Sequence, residues 1–286
     1  MILNKLSRFD PVRGAVMALL TFAALALMTR VSAETVMITG ANSGIGLEFA
    51  KQYAAKGWTV IATHRRSETP ETLAALQAQY GDKIRIESLD VTNLDQAVAL
   101  QEKLKDVAVD VLLNNAGVYN DRSKCAPEDD GCPGDWSDQS FGKQNFKLLD
   151  TIMAVNIKGP LIVSQVFYPN VKASKLKKLI AVSSSNGTLT GEANPRPGAI
   201  FYRMSKAALN REFQIVAASV KDDGVTVLML NPGPTATEHQ AYLLERFSQM
   251  MLKTSFTVGH MIETIDKATI MDTGKFLRYD GETEPW

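Results

Sequence analysis

The sequence predicts an α/β fold in which a single doubly wound parallel sheet of about seven strands carries helices on both of its faces. Two features of the 286 residues predict this arrangement. Short apolar runs alternate along the chain with segments whose apolar residues recur at helical spacing. Continuous apolar runs suit strands that are buried on both faces, and the segments between them are long enough for right-handed crossover connections.

The predicted strands and helices alternate in chain order. The apolar runs predict strands at 35–39, 58–63, 84–89, 109–113, 178–183, 225–230 and 275–279. Helical spacing predicts helices at 44–56, 72–80, 93–105, 150–168 and 201–220, followed by two helices within 238–268. We therefore expect residues 34–286 to form one domain, and we interpret the polar, aperiodic segment at about 118–145 as a loop insertion beside the site.

Composition limits the classes of partner. Hydrophobic residues make up 45% of the chain, which is enough for a sizeable core. Because the formal net charge is +0, the sequence predicts neither a nucleic acid nor an anionic surface as a partner.

Residues 1–33 differ from the rest of the chain. Three basic residues precede an uncharged, mostly apolar run over 14–28, and small residues follow it up to Ala33. This order is typical of a secretory signal peptide. It predicts export to the periplasm or the medium after cleavage near Ala33.

Two alternatives to export remain open. A translation start near Met28 would give a cytoplasmic protein without the apolar run. A retained segment would anchor the chain, and this is the one route by which a membrane becomes a partner, although the run is about 15 residues long and a spanning helix needs about 20.

The only two cysteines lie in the polar segment. Cys125 and Cys132 are surrounded by turn-forming and acidic residues, so they either close a small disulfide in an oxidising compartment or stay as exposed thiols. They are too few for a four-ligand zinc site unless histidines join them, and only His64, His239 and His260 are available. The sequence therefore predicts no metal site.

A glycine-rich segment lies between the first predicted strand and the first predicted helix. A glycine at the strand end allows a tight turn, and later glycines leave room for a pyrophosphate at the helix N-terminus, where N–H groups and the helix dipole favour an anion. This placement in a strand–turn–helix unit predicts a dinucleotide site. The candidate cofactor-binding residues here are Gly40, Asn42, Ser43, Gly44, Ile45 and Gly46.

The end of the second strand indicates which dinucleotide binds. An acidic residue there would bind the ribose 2′-hydroxyl of NAD, but this chain has Arg65 and Arg66 and no acid. Because an arginine pairs with a 2′-phosphate and an acid would repel it, the sequence predicts NADP(H) in preference to NAD(H). Arg65 is the candidate contact.

Tyr202 and Lys206 form the candidate catalytic pair. Residues four apart project from one face of a helix, so the two side chains are expected to be close. A free tyrosine has a pKa near 10, and a neighbouring ammonium would be expected to lower it towards the range where the hydroxyl exchanges protons readily.

These motifs together resemble those of the short-chain dehydrogenase/reductase family. The glycine spacing Gly-x-x-x-Gly-x-Gly, the Asn-Asn-Ala-Gly run at 114–117 and the Tyr-x-x-x-Lys pair carry the resemblance, which extends from residue 34 to the end. The segment 272–286, which ends in Pro-Trp, closely resembles the C-factor/sniffer-like carbonyl reductase branch. The resemblance implies a Rossmann-type fold and NADPH-dependent reduction of a small carbonyl compound to an alcohol. The same branch also implies an alternative, an exported signalling or cofactor-binding protein with little turnover.

The resemblance also implies roles for individual residues. Ser184 would orient the substrate carbonyl, with Ser183 and Ser185 as the alternatives, and Tyr202 would donate the proton. Lys206, with Asn156 at a helix irregularity and a bound water, would resupply that proton. Family members are often dimers or tetramers, so a homo-oligomer is compatible with the sequence. The further candidate cofactor contacts, besides Tyr202 and Lys206, are Asp90, Val91, Asn115, Ala116, Gly117, Pro232, Gly233, Thr235 and Thr237.

Overall fold

The computed structural model describes residues 33–120, 136–190, 198–237, 247 and 249–286. The segment with signal-peptide character, both cysteines and the start of the two-helix region lie outside the described residues. Residues Glu34–Trp286 form one compact unit.

Seven parallel strands form one sheet in the order β3-β2-β1-β4-β5-β6-β9. The order reverses direction between β1 and β4, which makes the carboxyl ends of these two strands the topological switch point. The predicted α/β fold with a single doubly wound parallel sheet is thus confirmed. The strands are β1 (Thr35–Ile38), β2 (Thr59–His64), β3 (Ile84–Ser88), β4 (Val111–Asn114), β5 (Lys178–Val182), β6 (Thr226–Asn231) and β9 (Lys275–Arg278).

Helices cover both faces of this sheet, as the sequence predicts. On one face, side chains such as Phe49, Leu73 and Val258 pack against the strands, and on the other face Phe167 and Phe213 do so. The burial of apolar side chains on both faces explains why the strands read as continuous apolar runs. The helices are α1 (Gly44–Ala55), α2 (Glu71–Tyr80), α3 (Leu94–Lys103), α4 (Phe146–Met153), α5 (Gly159–Lys172), α6 (Ile200–Val220) and α7 (Thr254–Lys267).

The helix predicted at 150–168 differs from the structure. It begins earlier, at Phe146, where the side chain of Asn145 accepts a hydrogen bond from the N–H of Lys147 at 3.1 Å. A π-helical turn over Ala154–Lys158 then separates α4 from α5. Pro160 lacks an N–H to bond back along the helix, and this accounts for the widened turn just before it.

Two short strands that the sequence did not predict lie beyond β6. The strand β7 (Thr235–Ala236) pairs in parallel with β8 (Leu252–Lys253), outside the main sheet. The second helix of the predicted pair is α7, which begins directly after β8.

After β9 the chain reverses and runs antiparallel along the outer edge of this strand. The N–H of Arg278 donates to the carbonyl of Glu282 at 2.7 Å, and the N–H of Glu284 donates to Phe276 at 2.9 Å. The main-chain oxygen of Trp286 then accepts a hydrogen bond from Thr190, a few residues beyond β5.

Among the helices of the described residues, none combines the length and the apolar character that crossing a membrane requires.

Candidate active site

The candidate residues collect at the carboxyl edge of the sheet, around the switch point. The glycine-rich segment follows β1, and Asn115 follows β4. Ser184 lies two residues beyond the end of β5, and α6 brings Tyr202 and Lys206 to the same edge. In open parallel sheets this crevice is where ligands bind.

The glycines at 40 and 46 are required by close contacts within the protein. Gly40 has φ +65°, and a Cβ there would lie 3.0 Å from the Cα of Ala116. A Cβ on Gly46 would lie 2.2 Å from the carbonyl oxygen of Gly40 and 2.5 Å from Nδ2 of Asn115. The sequence interpretation left space at Gly46 for a pyrophosphate, but in the structure the amide of Asn115 fills that space.

Thr39, which sequence reasoning did not single out, ties the end of β1 to the end of β4. Its Oγ1 accepts hydrogen bonds from the N–H groups of Asn115 and Ala116, each at 3.0 Å. In return, Nδ2 of Asn115 donates to the carbonyls of Thr39 at 3.0 Å and Gly40 at 3.2 Å. The only sequence signal was its place just before the first glycine of the turn.

Ser184, Tyr202 and Lys206 are brought together. The hydroxyls of Ser184 and Tyr202 share a hydrogen bond. Nζ of Lys206 lies 5.7 Å from the centroid of the Tyr202 ring and donates to the carbonyl of Val182 at 2.8 Å. The last residue of β5 thus holds the lysine in place.

The neighbouring serines have other positions. Ser183 is buried, and its hydroxyl donates to Oδ1 of Asn210 at 2.5 Å. Ser185 is exposed at the start of a 3₁₀ turn. Of the three serines that the sequence left open, Ser184 is therefore the one whose hydroxyl bonds Tyr202.

Burial determines the protonation states of Tyr202 and Lys206. Burial raises the pKa of Tyr202 to about 12, and the hydrogen bond with Ser184 opposes only part of that rise. Burial also lowers the pKa of Lys206 to about 8. The expected lowering of the tyrosine pKa by the lysine is not found in this structure, because burial has the largest effect on the Tyr202 hydroxyl and raises its pKa. Tyr202 is therefore protonated at neutral pH, which is the state of a proton donor.

Asn156 lies in the π-helical turn and connects α6 to the chain after β4 by hydrogen bonds. It is 1% exposed. Its Oδ1 accepts from the N–H of Val118 at 2.8 Å, and its Nδ2 donates to the carbonyl of Val118 at 2.8 Å and to the hydroxyl of Ser205 at 3.0 Å. Ser205 in turn donates to the carbonyl of Tyr202 at 2.7 Å. Both amide protons of Asn156 are therefore used to fix α6 to the chain after β4.

Several predicted cofactor contacts have partners inside the protein. Oδ1 of Asp90 accepts from the N–H of Thr92 at 2.9 Å and from its hydroxyl at 2.7 Å. The hydroxyl of Thr235 donates to the carbonyl of Pro232 at 2.8 Å. These side chains shape the loops at the strand ends, and their contact with a cofactor stays a prediction.

The other predicted contacts lie at the same edge. Val91 packs against Gly159, where a Cβ would lie 2.7 Å from Cγ2 of Val91. Gly233 has φ +68°, and a Cβ there would lie 3.3 Å from the ring of Tyr279. Gly117 lies between Asn156 and Lys206, and Thr237 is half-buried just beyond β7.

A cleft of about 590 Å³ borders the glycine-rich segment. No acid occupies the first turn of α1, which leaves this helix end suited to an anion. Both arginines are exposed, and Arg66 lines the cleft whereas Arg65 does not. Sequence reasoning singled out Arg65 and gave Arg66 no separate role. The lining residues are Asn42, Ser43, Gly44, Leu47, Glu48, Arg66, Pro70, Glu71, Thr72 and Thr254.

A match to a family model identifies the family of this chain. Residues 34–246 match the family model for short chain dehydrogenase, which is more than half of the chain. The chain belongs to the short-chain dehydrogenase family.

Curated relatives of this short-chain dehydrogenase agree with the match. The short-chain dehydrogenase/reductase atnB of Arthrinium sp is 31% identical over 271 residues, which cover 86% of this chain and 97% of the relative. The C-signal of Myxococcus xanthus is 29% identical over 178 residues, which cover 62% of this chain and 93% of that protein.

Solved structures share the fold. An NADPH-bound carbonyl reductase from chicken fatty liver has a TM-score of 0.75 and 25% identity, with 90% of this chain and 100% of that chain covered. An NADP-bound short-chain dehydrogenase/reductase of Burkholderia multivorans has a TM-score of 0.71 and 26% identity, with coverages of 89% and 100%. The carbonyl reductase Sniffer of Drosophila melanogaster has the same fold, with a TM-score of 0.70 at 23% identity and coverages of 89% and 100%.

We predict that Thr39→Val destabilises this short-chain dehydrogenase by about 2 kcal/mol, because two N–H groups lose their acceptor. Urea unfolding followed by circular dichroism measures the change. Thr63→Val is the matched control, since the Thr63 hydroxyl is buried without a hydrogen-bond partner and its removal should be neutral or stabilising. Equal losses in the two variants would contradict the role of Thr39.

Proposed function

We propose that this short-chain dehydrogenase is an NADPH-dependent carbonyl reductase that reduces a ketone or an aldehyde to an alcohol. The observation that carries the proposal is the hydrogen bond between the hydroxyls of Ser184 and Tyr202, with Lys206 held beside them at the switch point. A bound carbonyl oxygen within reach of both hydroxyls accepts a hydrogen bond from each of them. One of the two hydroxyls can then transfer its proton to that oxygen.

The residues at the sheet edge fit a nicotinamide dinucleotide. The glycine-rich segment and the acid-free N-terminus of α1 would hold the pyrophosphate. Arg65 and Arg66, at the end of β2, would pair with a 2′-phosphate. Glu48 and Glu71 also line the cleft, so the arginines supply the attraction for an anion there. The NADPH-bound and NADP-bound relatives support this choice of cofactor.

The chemistry divides between the cofactor and the chain. A bound reduced nicotinamide supplies the hydride for the carbonyl carbon. The Ser184 hydroxyl donates a hydrogen bond to the carbonyl oxygen and stabilises the negative charge that develops there. The Tyr202 hydroxyl then gives its proton to that oxygen, so that the carbonyl gains one hydride and one proton and becomes an alcohol. The Lys206 ammonium stabilises the phenolate that remains, and with Asn156 and water it returns the proton.

A second candidate is a signalling role with little turnover. The similarity to the C-signal of Myxococcus xanthus favours it, and the export that the N-terminal segment predicts would separate the protein from cellular NADPH. A signalling role would survive the loss of the Tyr202 proton, whereas a catalytic role would not.

We predict that Tyr202→Phe lowers kcat for NADPH-dependent reduction of a panel of ketones and aldehydes by about 10²- to 10⁴-fold, because the proton donor is lost. The dissociation constant of NADPH should stay within about threefold of the wild-type value. Tyr168→Phe is the matched control, since its hydroxyl bonds Asp223 beyond the far end of α6. Wild-type turnover in Tyr202→Phe would overturn the assignment.

We predict that Arg65→Ser with Arg66→Ser raises the dissociation constant of NADPH by about 10- to 100-fold and leaves that of NADH nearly unchanged, because a charged hydrogen bond to the 2′-phosphate is lost. Fluorescence titration of each single variant measures how much of the rise in the NADPH dissociation constant comes from each arginine. We expect the larger part from Arg66, which lines the cleft. Arg85→Ser on β3 controls for net charge, because that arginine pairs with Glu87. A double variant that keeps the wild-type preference would exclude these residues.

We predict that kcat/KM for carbonyl reduction is flat at neutral pH and falls about tenfold per pH unit above a pH of about 8. The reason is that Lys206, whose pKa is about 8, loses its charge there, whereas Tyr202, whose pKa is about 12, stays protonated. In Lys206→Arg the charge persists, so the remaining activity should lack this descending limb. If kcat/KM of that variant fell at the same pH, the fall would be due to the titration of a group other than Lys206.

A further inference from the structure

The helix that carries Tyr202 begins without a capping side chain of its own. The residue before its first turn is Ala199, which has φ +53° and offers no hydroxyl, amide or carboxylate to the first N–H groups of the helix. The N–H of Tyr202 lies in that first turn. It donates instead to Oε1 of Gln139, at 2.9 Å. A residue about sixty positions earlier in the chain therefore caps the catalytic helix at the catalytic residue.

Gln139 lies in the 3₁₀ turn Trp136–Gln139, at the end of the polar insertion that follows β4. Its side chain is 0% exposed. Nε2 donates to the carbonyl of Tyr119 at 2.7 Å and to Oδ1 of Asn120 at 3.3 Å. Each donor and acceptor of one buried amide group is thereby used. This amide joins the start of the insertion, its end and the first turn of α6.

The connection fixes two aromatic rings relative to each other. The ring of Tyr119 lies with its centroid 4.2 Å from that of Tyr202, and the planes are tilted by 56°. Gln139 bonds the main chain of both residues, at the carbonyl of Tyr119 and at the N–H of Tyr202. The backbone positions that set this ring contact are thus held by a single side chain.

We propose that Gln139 is a positioning residue for the reaction, which sets the hydroxyl of Tyr202 against Ser184 and holds Tyr119 on the Tyr202 ring. The proposal rests on the proposed carbonyl reductase function for its effect on turnover. Without Gln139 the first turn of α6 loses its cap and frays, and the Tyr202 hydroxyl occupies a wider range of positions. Misplacement of a reacting group by about 1 Å is enough to slow a reaction by about 100-fold.

The test compares two variants of Gln139 with a matched control. Gln139→Met has a similar volume and makes none of the hydrogen bonds. Gln139→Glu keeps an acceptor for the N–H of Tyr202 but loses the donors to Tyr119 and Asn120. Gln144→Met is the control, because Gln144 lies in the same segment and its one hydrogen bond among the described residues is local, accepted from the N–H of Gly142 at 2.8 Å. The full chain is used throughout, with NADPH and the ketone and aldehyde panel.

We expect Gln139→Met to lower kcat by about 10- to 100-fold while the dissociation constant of NADPH stays within about threefold of the wild-type value. Gln139→Glu should lie between this variant and the wild type, and Gln144→Met should match the wild type. A purely structural role would instead lower the melting temperature and the folded fraction, with kcat per folded molecule unchanged. Gln139→Met with wild-type kcat would overturn the proposal.

Hydrogen exchange separates this proposal from the proposed function. The amide of Tyr202 should exchange at least about tenfold faster in Gln139→Met than in Gln144→Met, because its acceptor is gone. A wild-type protein that reduces none of the panel would overturn the carbonyl reductase function. The exchange rate of the Tyr202 amide would still test whether Gln139 holds the first turn of α6. Unchanged exchange at Tyr202 would overturn the positioning role whatever the activity. If Gln139→Met fails to fold, Gln139→Glu supplies the kinetic comparison, and a wild-type kcat in that variant would overturn the proposal. The amide of Tyr202 should stay protected in Gln139→Glu, because its acceptor is kept.

Discussion

The hydrogen bonds that join the ends of β1 and β4 are the constraint on which the rest of the site depends. These strands are neighbours at the switch point, so the chain leaves them in two different directions. Four hydrogen bonds join the two strand ends: the Thr39 hydroxyl accepts from the N–H groups of Asn115 and Ala116, and the Asn115 amide donates to the carbonyls of Thr39 and Gly40. The contact brings Asn115 so close to Gly46 that only glycine fits there. The conformation of the turn after β1 is therefore set by the residues after β4.

From this junction the position of Tyr202 is defined by two further contacts. Val118, three residues beyond Asn115, is held by Asn156, which also bonds Ser205 next to Lys206. The ring of Tyr119 lies against the ring of Tyr202, with the two planes tilted by 56°. A short stretch after β4 thus touches the turn after β1, the π-helical turn and the helix that carries Tyr202. The burial that results raises the pKa of Tyr202 and lowers that of Lys206, so the protonation of the pair is a product of packing.

The sequence was sufficient for the fold because apolar runs and helical spacing report burial directly, and each strand of the main sheet lies close to where its apolar run predicts. The spacing also predicts that Tyr202 and Lys206 lie close together on one helix face, and the structure has them so, whereas their catalytic role stays a prediction. The sequence interpretation missed Tyr119 and Gln139, because an isolated polar or aromatic residue in an aperiodic segment shows nothing of a partner far along the chain. It missed Thr39 because a single polar residue at the end of a predicted strand does not reveal which later residues its hydroxyl bonds. The apolar pattern does not reveal the π-helical turn, since apolar residues continue through it, and only the family resemblance implied a helix irregularity at Asn156. The choice between Arg65 and Arg66 as the residue lining the cleft depends on how the chain turns after β2, which no periodicity encodes.

The reversed segment after β9 has a consequence for how copies of this protein meet. An outermost strand normally presents a row of unpaired N–H and C=O groups, which invites a strand from another molecule. Here the main chain of 282–284 already occupies part of that row, through its bonds with Phe276 and Arg278. Pairing of a strand from another molecule with β9 is therefore hindered where this segment lies. Two copies that associate on that side would rely more on side-chain contacts, and surface shape and charge would determine the specificity of such a contact.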